Sequence, residues 1–555
     1  MNRNTSSHFS TNPVNIDIQR SKFLRPSQHK TTMNTGDLVP IYVDEVLPGD
    51  TMSMATSAAI RMSTPIYPVM DNASADFYYF FVPSRLVWEH WREFNGENRI
   101  THWEQPTEYE IPQLRAPAGG WEKGTIADYM GIPTKIANLS INALPIRAYC
   151  LIWNEWFRDQ NLKDPAMVNL DDTTQTGSNG NNYITDAQLG GKPLKVAKYH
   201  DYFTSALPEP QKGPDVMMPL GNIAPVSGNG NGLGLTDGTT TGTLVNETNS
   251  HGIYESTLVD PNKYGTVGTT VPIVKGFIHR SYLGVTTDAQ NSGLIADLSQ
   301  ATGATINQLR QAFAIQRLYE KDARGGTRYT EVIRAHFGVI SPDGRQQRPE
   351  YLGGVSIPIN VDQVLQTSGT TDTSPQGNTA AYSLTNFAEN MFTKSFTEHG
   401  YVIGLCAIRT QHTYQQGLER MWSRKKRFDF YWPSLANIGE QAILNKEIYA
   451  QGTAADDEAF GYQEAWADYR YKPSRVSGAF RSNYAQPLDS WHYADYYTKQ
   501  PHLSSEWIDE TRENMNRTIA VSDKLEDQFI ADFYFACNMT RPMPVYSIPG
   551  LLDHH

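Results

Sequence analysis

Asp76-Phe77-Tyr78-Tyr79-Phe80-Phe81-Val82-Pro83 is an unbroken run of aromatic and β-branched residues that begins at an acid and closes at a proline. A strand with one wet face alternates apolar and polar residues, so a run of this kind predicts a strand covered on both sides. A near echo, Gln528-Phe529-Ile530-Ala531-Asp532-Phe533-Tyr534-Phe535-Ala536-Cys537, lies close to the other end of the 555-residue chain. The simplest topology puts the two stretches in one sheet and treats the sequence between them as inserted loops.

The chain is far longer than a usual domain of ~100 to 200 residues, so it predicts either several domains or one core with large insertions. Aromatic residues are abundant (30 Tyr, 21 Phe, 11 Trp) and charged residues make up only 19%, which suits a β-rich core and extended aromatic interfaces alike. The formal charge of -12 argues against a protein that coats nucleic acid with its whole surface, yet the signs are segregated. Residues 1–36 carry Arg3, Arg20, Lys22, Arg25 and Lys30 against Asp17 alone, whereas 171–270 hold five lysines and ten acids. Cys150, Cys406 and Cys537 are too scattered for a disulfide framework or a zinc site and read as reduced, buried thiols. No leader-like apolar segment opens the chain and no run of about 18 apolar residues occurs, so the expectation is a soluble protein made in a cytoplasm.

Residues 1–40 are polar with isolated apolar positions between basic ones and read as an N-terminal arm; the remainder, 41–555, reads as one domain with insertions. Thr51–Arg61 alternates as a strand. Ser84 is placed to cap a short helix carrying Val87, Trp88, Trp91 and Phe94, and Ile146, Tyr149, Cys150, Trp153, Trp156 and Phe157 mark one face of a second, with Pro145 in its first turn. From 171 to 272 the composition shifts to Gly, Asn and Thr, which predicts a long acidic loop on the surface. The Gly228-x-Gly230-x-Gly232 spacing lacks the preceding strand and following helix of a phosphate loop. Two helices, 305–323 and 331–337, meet at Gly325-Gly326; as a helix-turn-helix they would offer Arg310, Arg317, Arg324, Arg328 and Arg334, but those side chains are spread over several faces. Residues 391–410 predict two strands meeting at His399-Gly400, and 519–540 a last strand pair.

Several of these stretches carry a family likeness. Lys30-Thr-Thr-Met-Asn-Thr-Gly-Asp-Leu-Val-Pro, Asp44-Glu-Val-Leu-Pro-Gly-Asp-Thr, Met62-Ser-Thr-Pro-Ile-Tyr-Pro-Val-Met-Asp-Asn and Tyr79-Phe-Phe-Val-Pro-Ser-Arg-Leu-Val-Trp lie in the first part. Arg324-Gly-Gly-Thr-Arg-Tyr-Thr-Glu-Val-Ile-Arg-Ala-His-Phe-Gly-Val, Arg348-Pro-Glu-Tyr-Leu-Gly-Gly, Arg541-Pro-Met-Pro and Pro549-Gly-Leu follow. With these segments the sequence resembles the major capsid proteins of gokushoviruses, small single-stranded DNA bacteriophages of the microvirus family. The resemblance implies a mainly β fold, an eight-stranded antiparallel jelly roll of two packed sheets with large loop and short helical insertions. It further implies about 60 copies in a T=1 icosahedral shell around single-stranded DNA, a virion protein assembled in the host bacterial cytoplasm. The family's inserted loop projects at three-fold axes, and 171–272 is its counterpart here, a candidate for host-receptor attachment. Minor pilot or DNA-binding virion proteins are implied partners; cofactors and membrane insertion are not.

Within that frame Arg420-Met-Trp-Ser-Arg424-Lys425-Lys426-Arg427-Phe428-Asp-Phe430-Tyr431-Trp432 is the sharpest local signal. Cations bind phosphates and aromatic faces stack unpaired bases, so Arg420, Arg424, Lys425, Lys426 and Arg427 are candidate DNA contacts on an inner surface. Arg3, Arg20, Lys22, Arg25 and Lys30 of the arm receive the same reading. Asp489, His492, Asp495 and His502 lack metal-ligand spacing, and Asp456-Asp457-Glu458 lacks the glycine and spaced oxygens of a calcium loop. No catalytic constellation emerges. The competing class is a secreted β-sandwich carbohydrate-active enzyme using carboxylates such as Glu104, Glu108 and Glu110.

Overall fold

The computed structural model describes residues 19–97, 107–214, 216 and 306–546, together with short strands at 226–228, 235–236, 284–285 and 294–296. Two compact units result, Met1–Lys212 with Glu320–His555, and Gly213–Tyr319. The second unit contains the strand pairs Val226–Gly228 with Leu294–Ala296 and Leu235–Thr236 with Gly284–Val285.

Eight long strands build the first unit: β1 (Ser21–Met33), β2 (Val39–Val46), β3 (Thr51–Met62), β4 (Ala73–Pro83), β5 (Glu350–Pro358), β6 (Thr385–Ser395), β7 (Gly400–Thr410) and β8 (Phe529–Arg541). They form two four-stranded sheets in the orders β1-β8-β3-β6 and β5-β4-β7-β2, and every pairing is antiparallel. Consecutive strands switch sheets at every step except β4 to β5, which are neighbours in one sheet, and this is jelly-roll connectivity. The two aromatic stretches therefore face each other from opposite sheets, rather than sharing one as the sequence suggested. Phe77 packs edge-on against Phe533 at 5.9 Å between ring centroids.

β4 is covered on both sides. Phe77, Tyr79 and Phe81 point between the sheets, where Phe387, Phe392 and Phe396 of the facing side lie 4.7, 5.5 and 4.7 Å away. Tyr79 Oη and Thr56 Oγ1 share a hydrogen bond of 2.6 Å across the gap. Tyr78, Phe80 and Val82 point the other way into a second apolar cluster made by the chain between β4 and β5. There Tyr78 meets Phe157 at 5.0 Å, and Phe80 meets Trp156 at 5.4 Å. Helix α1 (Leu144–Ile152), with proline in its first turn as expected, supplies Ile146, Tyr149 and Cys150 to that cluster, and Trp153 follows directly. The buried polar tips are satisfied: Tyr149 Oη donates to Leu38 O, and Trp153 Nε1 to Lys195 O, both at 2.7 Å.

The other sheet keeps one wet face. Burial alternates strictly along most of β3 and β8, so Phe533 is fully buried while Ile530 and Tyr534 are exposed. Small or polar residues, Ser53, Ala55, Ser57 and Ala59, face outward along β3 opposite Asn538, Ala536, Tyr534 and Asp532.

Several boundaries differ from the sequence expectations. The arm of residues 1–40 is shortened, because Ser21–Met33 is β1 and Val39 opens β2; Phe23 and His29 sit inward at alternate positions, and a single partner strand suffices at a sheet edge. Residues 171–212 belong to the first unit, with Ala187, Leu194 and Val196 fully buried, so they are not part of a free loop; 237–283 lie outside the described residues. Ser84–Leu86 and Trp91–Phe94 are separate single turns rather than one capped helix, since Trp88 between them is buried and its Nε1 donates to Asp172. The expected final strand pair is one strand, β8; Ile519 makes only an isolated bridge to Pro65. Helices α2 (Ile306–Gly325) and α3 (Tyr329–Phe337) lie within two residues of the expected bounds, and Gly338 ends α3 in the left-handed region at φ 68°. Arg324 and Arg328 are engaged internally, with Glu440 and Glu331 respectively.

Candidate nucleic-acid interface

The basic-aromatic segment 420–432 lies in the long connection between β7 and β8. Its five cations divide by environment. Arg420 donates to Ala442 O at 3.0 Å and lies 3.5 Å from the buried carboxylate of Glu447. Burial pushes that carboxyl's pKa up, with Arg420 pulling against it. Arg424 is nine-tenths buried, pairs with Asp468, donates from Nε to Asp429 O at 2.9 Å and covers the Tyr469 ring at 4.2 Å. These two arginines hold the segment to the protein.

Lys425, Lys426 and Arg427 are exposed. Asp429 accepts the backbone N–H groups of both lysines at 2.7 Å, which closes a tight turn and holds its carboxyl below the ordinary range. Arg427 lies over the Trp432 ring at 4.8 Å, and Trp432 Nε1 donates to Arg427 O at 3.1 Å. Around this turn Trp422 is 67% exposed and Phe428 71%, with Phe430, Tyr431 and Trp432 each more than 40% exposed. Three solvated cations among five exposed rings, of which Trp432 is already faced by Arg427, fit phosphate contact combined with base stacking.

The N-terminal candidates are less free. Arg20 donates to Gly49 O and Thr51, Arg25 pairs with Asp44 at 2.6 Å, and Lys30 reaches Asp532 at 3.7 Å. Lys22 is exposed on β1, and Arg3 lies outside the described residues.

The acidic and histidine candidates do not converge. His492 Nε2 donates to Phe480 O and its Nδ1 accepts from Ala494 N, Asp489 accepts from Ser482, Asp456 accepts the turn amides of Gln451 and Gly452, and Asp457 pairs with Lys446. Among the described residues no group of three or more His, Cys, Asp or Glu side chains is arranged to hold a metal ion. One of these candidates, Asp495, joins a charged centre whose other members the sequence did not indicate: His412 lies between Asp495 at 2.6 Å and Glu510 at 2.9 Å, all three side chains buried. Its partners are 83 and 98 residues away, so spacing carried no signal.

Two sheets in jelly-roll order place the chain in the architecture shared by viral coats, some lectins and cupins. Comparison with known proteins selects among these. The family model described as capsid protein (F protein) matches residues 10–551, and the chain belongs to that family. It is 48% identical over 538 residues to capsid protein VP1 of Bdellovibrio phage phiMH2K and 44% over 542 residues to that of Spiroplasma virus 4. Identity to capsid protein VP1 of Chlamydia phage 1 is 41% over 592 residues, and in all three cases 96% of each chain is covered. The protein is therefore a structural, non-enzymatic subunit of a bacteriophage virion that assembles with copies of itself, and the carbohydrate-active reading falls away. Among the described residues no helix is long and apolar enough to cross a membrane.

Proposed function

We propose that about 60 copies close into the smallest icosahedral shell around single-stranded DNA, each in the same environment. Lys425, Lys426 and Arg427 meet the phosphates and the rings beside them stack on unpaired bases. The observation that carries this reading is the division of the segment: Arg420 and Arg424 anchor it, while its other three cations and five rings stay in solvent. Lys22 and Lys30 on β1 are secondary contacts, with Arg3, Arg20 and Arg25 in the same role. Minor DNA-binding or pilot proteins share the interior. The Gly/Asn/Thr-rich stretch after residue 212 projects outward and attaches to the host surface.

Changing Lys425, Lys426 and Arg427 together to Ala is expected to leave the subunit soluble while assembled particles lose most of their DNA. For single-stranded binding, three lost phosphate contacts lower the salt slope by about 2, at about 0.7 per contact. Unchanged genome content in variant particles overturns the DNA assignment, and particle mass by native mass spectrometry checks the copy number. Deleting residues 237–283 is expected to preserve assembly and abolish adsorption to host cells; normal adsorption refutes the attachment role.

A further inference from the structure

The connection from β5 to β6 passes from one sheet to the other and on the way runs out as a hairpin, Val361–Leu365 paired with Thr379–Ser383. Its tip is closed by Thr371 and Ser374, each donating its amide to the other's carbonyl. Two strands alone are marginal in water, so a hairpin of this kind keeps its form by lying on something. One of its faces lies on the subunit itself: Ala381 and Ser383 are buried, and Ser383 Oγ donates to Asn360 O at 2.7 Å. The other face is bare. Ala380, Tyr382 and Leu384 alternate with the buried pair and are exposed, and Asp362 and Val364, also exposed, stand opposite Tyr382 and Ala380. The same alternation continues into β6 at Asn386 and Ala388, so this face prolongs the wet face of the sheet β1-β8-β3-β6. Beside Leu384 that sheet contributes Ile530, exposed and directly opposite Arg61, and the three line an open groove of about 660 Å³.

We propose that this strip is a two-fold contact between copies of the chain. Its centre is apolar, made by Ile530, Leu384, Tyr382 and Val364, with Asp362 beside Tyr382 towards one end and Arg61 beside Leu384 towards the other. Both charged side chains are exposed, and among the described residues neither has a hydrogen-bond or ion-pair partner. The other charges at the groove are already matched: Lys30 reaches Asp532, and Asp128 accepts from Gly124 N. Opposite charges at the two ends of an apolar strip make it self-complementary. Turning a second copy by 180° about the middle of the strip sets Arg61 of each against Asp362 of the other, with Tyr382 of each over Leu384 of the other. A dry apolar centre with charges at its rim is the usual anatomy of a protein interface. A nucleic-acid strand on the same strip would bring its phosphates to the unpaired Asp362, whereas a second copy balances every charge. The chain assembles with copies of itself, and the inference rests on the closed-shell reading only in needing a two-fold axis.

The test is particle yield from a permissive host carrying the phage genome with Arg61→Asp, Asp362→Arg or both, counted after sedimentation and divided by soluble subunit in the same lysate. Each single reversal puts like charges together twice across the axis and is expected to lower that ratio at least about tenfold. The double reversal restores both pairs with their signs exchanged and is expected to recover most of the wild-type ratio. A wild-type ratio in either single variant, or a double variant no better than the singles, overturns the contact. Hydrogen exchange supplies a measurement without substitution: amides of Val361–Leu365 and Thr379–Ser383 are expected to exchange at least about tenfold more slowly in wild-type particles than in the isolated subunit. Equal rates mean that nothing covers this face and likewise overturn the proposal. Genome content and particle mass are read separately, so failure here leaves the assignments of 420–432 and of the copy number standing.

Discussion

Replacing His412 by Ala is expected to lower the unfolding free energy of the isolated subunit by about 3–5 kcal/mol, the usual result of removing one member of a buried ionic group. The imidazole donates from Nδ1 to Asp495 and from Nε2 to Glu510, and its side chain is 2% exposed. Asn514 donates to Asp495 and Thr410 to Glu510, so the carboxylates are held by hydrogen bonds as well as by charge. Without the ring two buried acids face each other with no cation between them. Burial alone would drive the imidazole pKa down; the neighbouring carboxylates, Asp495 foremost, overcome it and raise it to about 10. Burial likewise pushes Asp495 up, but the charge and hydrogen bond of His412 outweigh it and hold that carboxyl at about 2.

The pH dependence follows from those directions. The raised histidine contributes its full stabilisation below about pH 6.5, its unfolded value, and loses it as pH climbs towards 10. The depressed aspartate contributes above about pH 4 and loses its share as pH falls towards 2. Urea titrations across pH should therefore give a wild-type advantage over His412→Ala that is largest between about 4 and 6.5. A difference below about 1 kcal/mol throughout that window would show that the triad contributes no more than an exposed pair.

Phe77→Ala and Phe80→Ala are expected to cost alike, about 3–5 kcal/mol each, although their side chains leave β4 on opposite faces. Phe77 is fully buried between the sheets and Phe80 is 1% exposed beneath Trp156 and Phe157. Tyr534, 41% exposed on the wet face of the other sheet, is the control, and Tyr534→Ala should stay within about 1 kcal/mol in the isolated subunit. Equal losses at all three positions in thermal or urea unfolding would refute the contrast between one clothed sheet and one bare face.

That contrast marks how far the sequence is legible. The run from Phe77 to Val82 encodes burial on both sides in its own composition, and the faces separate as the pleat requires. Phe529 to Cys537 looks similar, but Ile530, Asp532, Tyr534 and Ala536 face outward, and a large exposed Ile or Tyr cannot be told from a buried one by type. The assignment of the two runs to opposite sheets depends on pairings across hundreds of residues, such as β8 with β3, which no local pattern records. At the candidate interface the cations and rings were visible as letters, while Asp468 and Glu447, which decide that Arg424 and Arg420 are anchors, lie 44 and 27 residues further on.

β1 is an edge strand thirteen residues long. An unpaired edge of that length is a template on which further chains add strand by strand, and a protein that must accumulate before assembly is exposed to such runaway growth. Pro26, in the middle of β1, has no amide N–H to offer a further strand, and the exposed Lys22 and Lys30 set cations along it, whereas Arg25 is paired with Asp44. Two copies approaching edge to edge bring like charges together and meet a gap in the ladder. Residues that read at first as an arm for a polyanion thereby also act as gatekeepers, closing the route to fibrils while leaving the side-by-side contacts of a closed shell open.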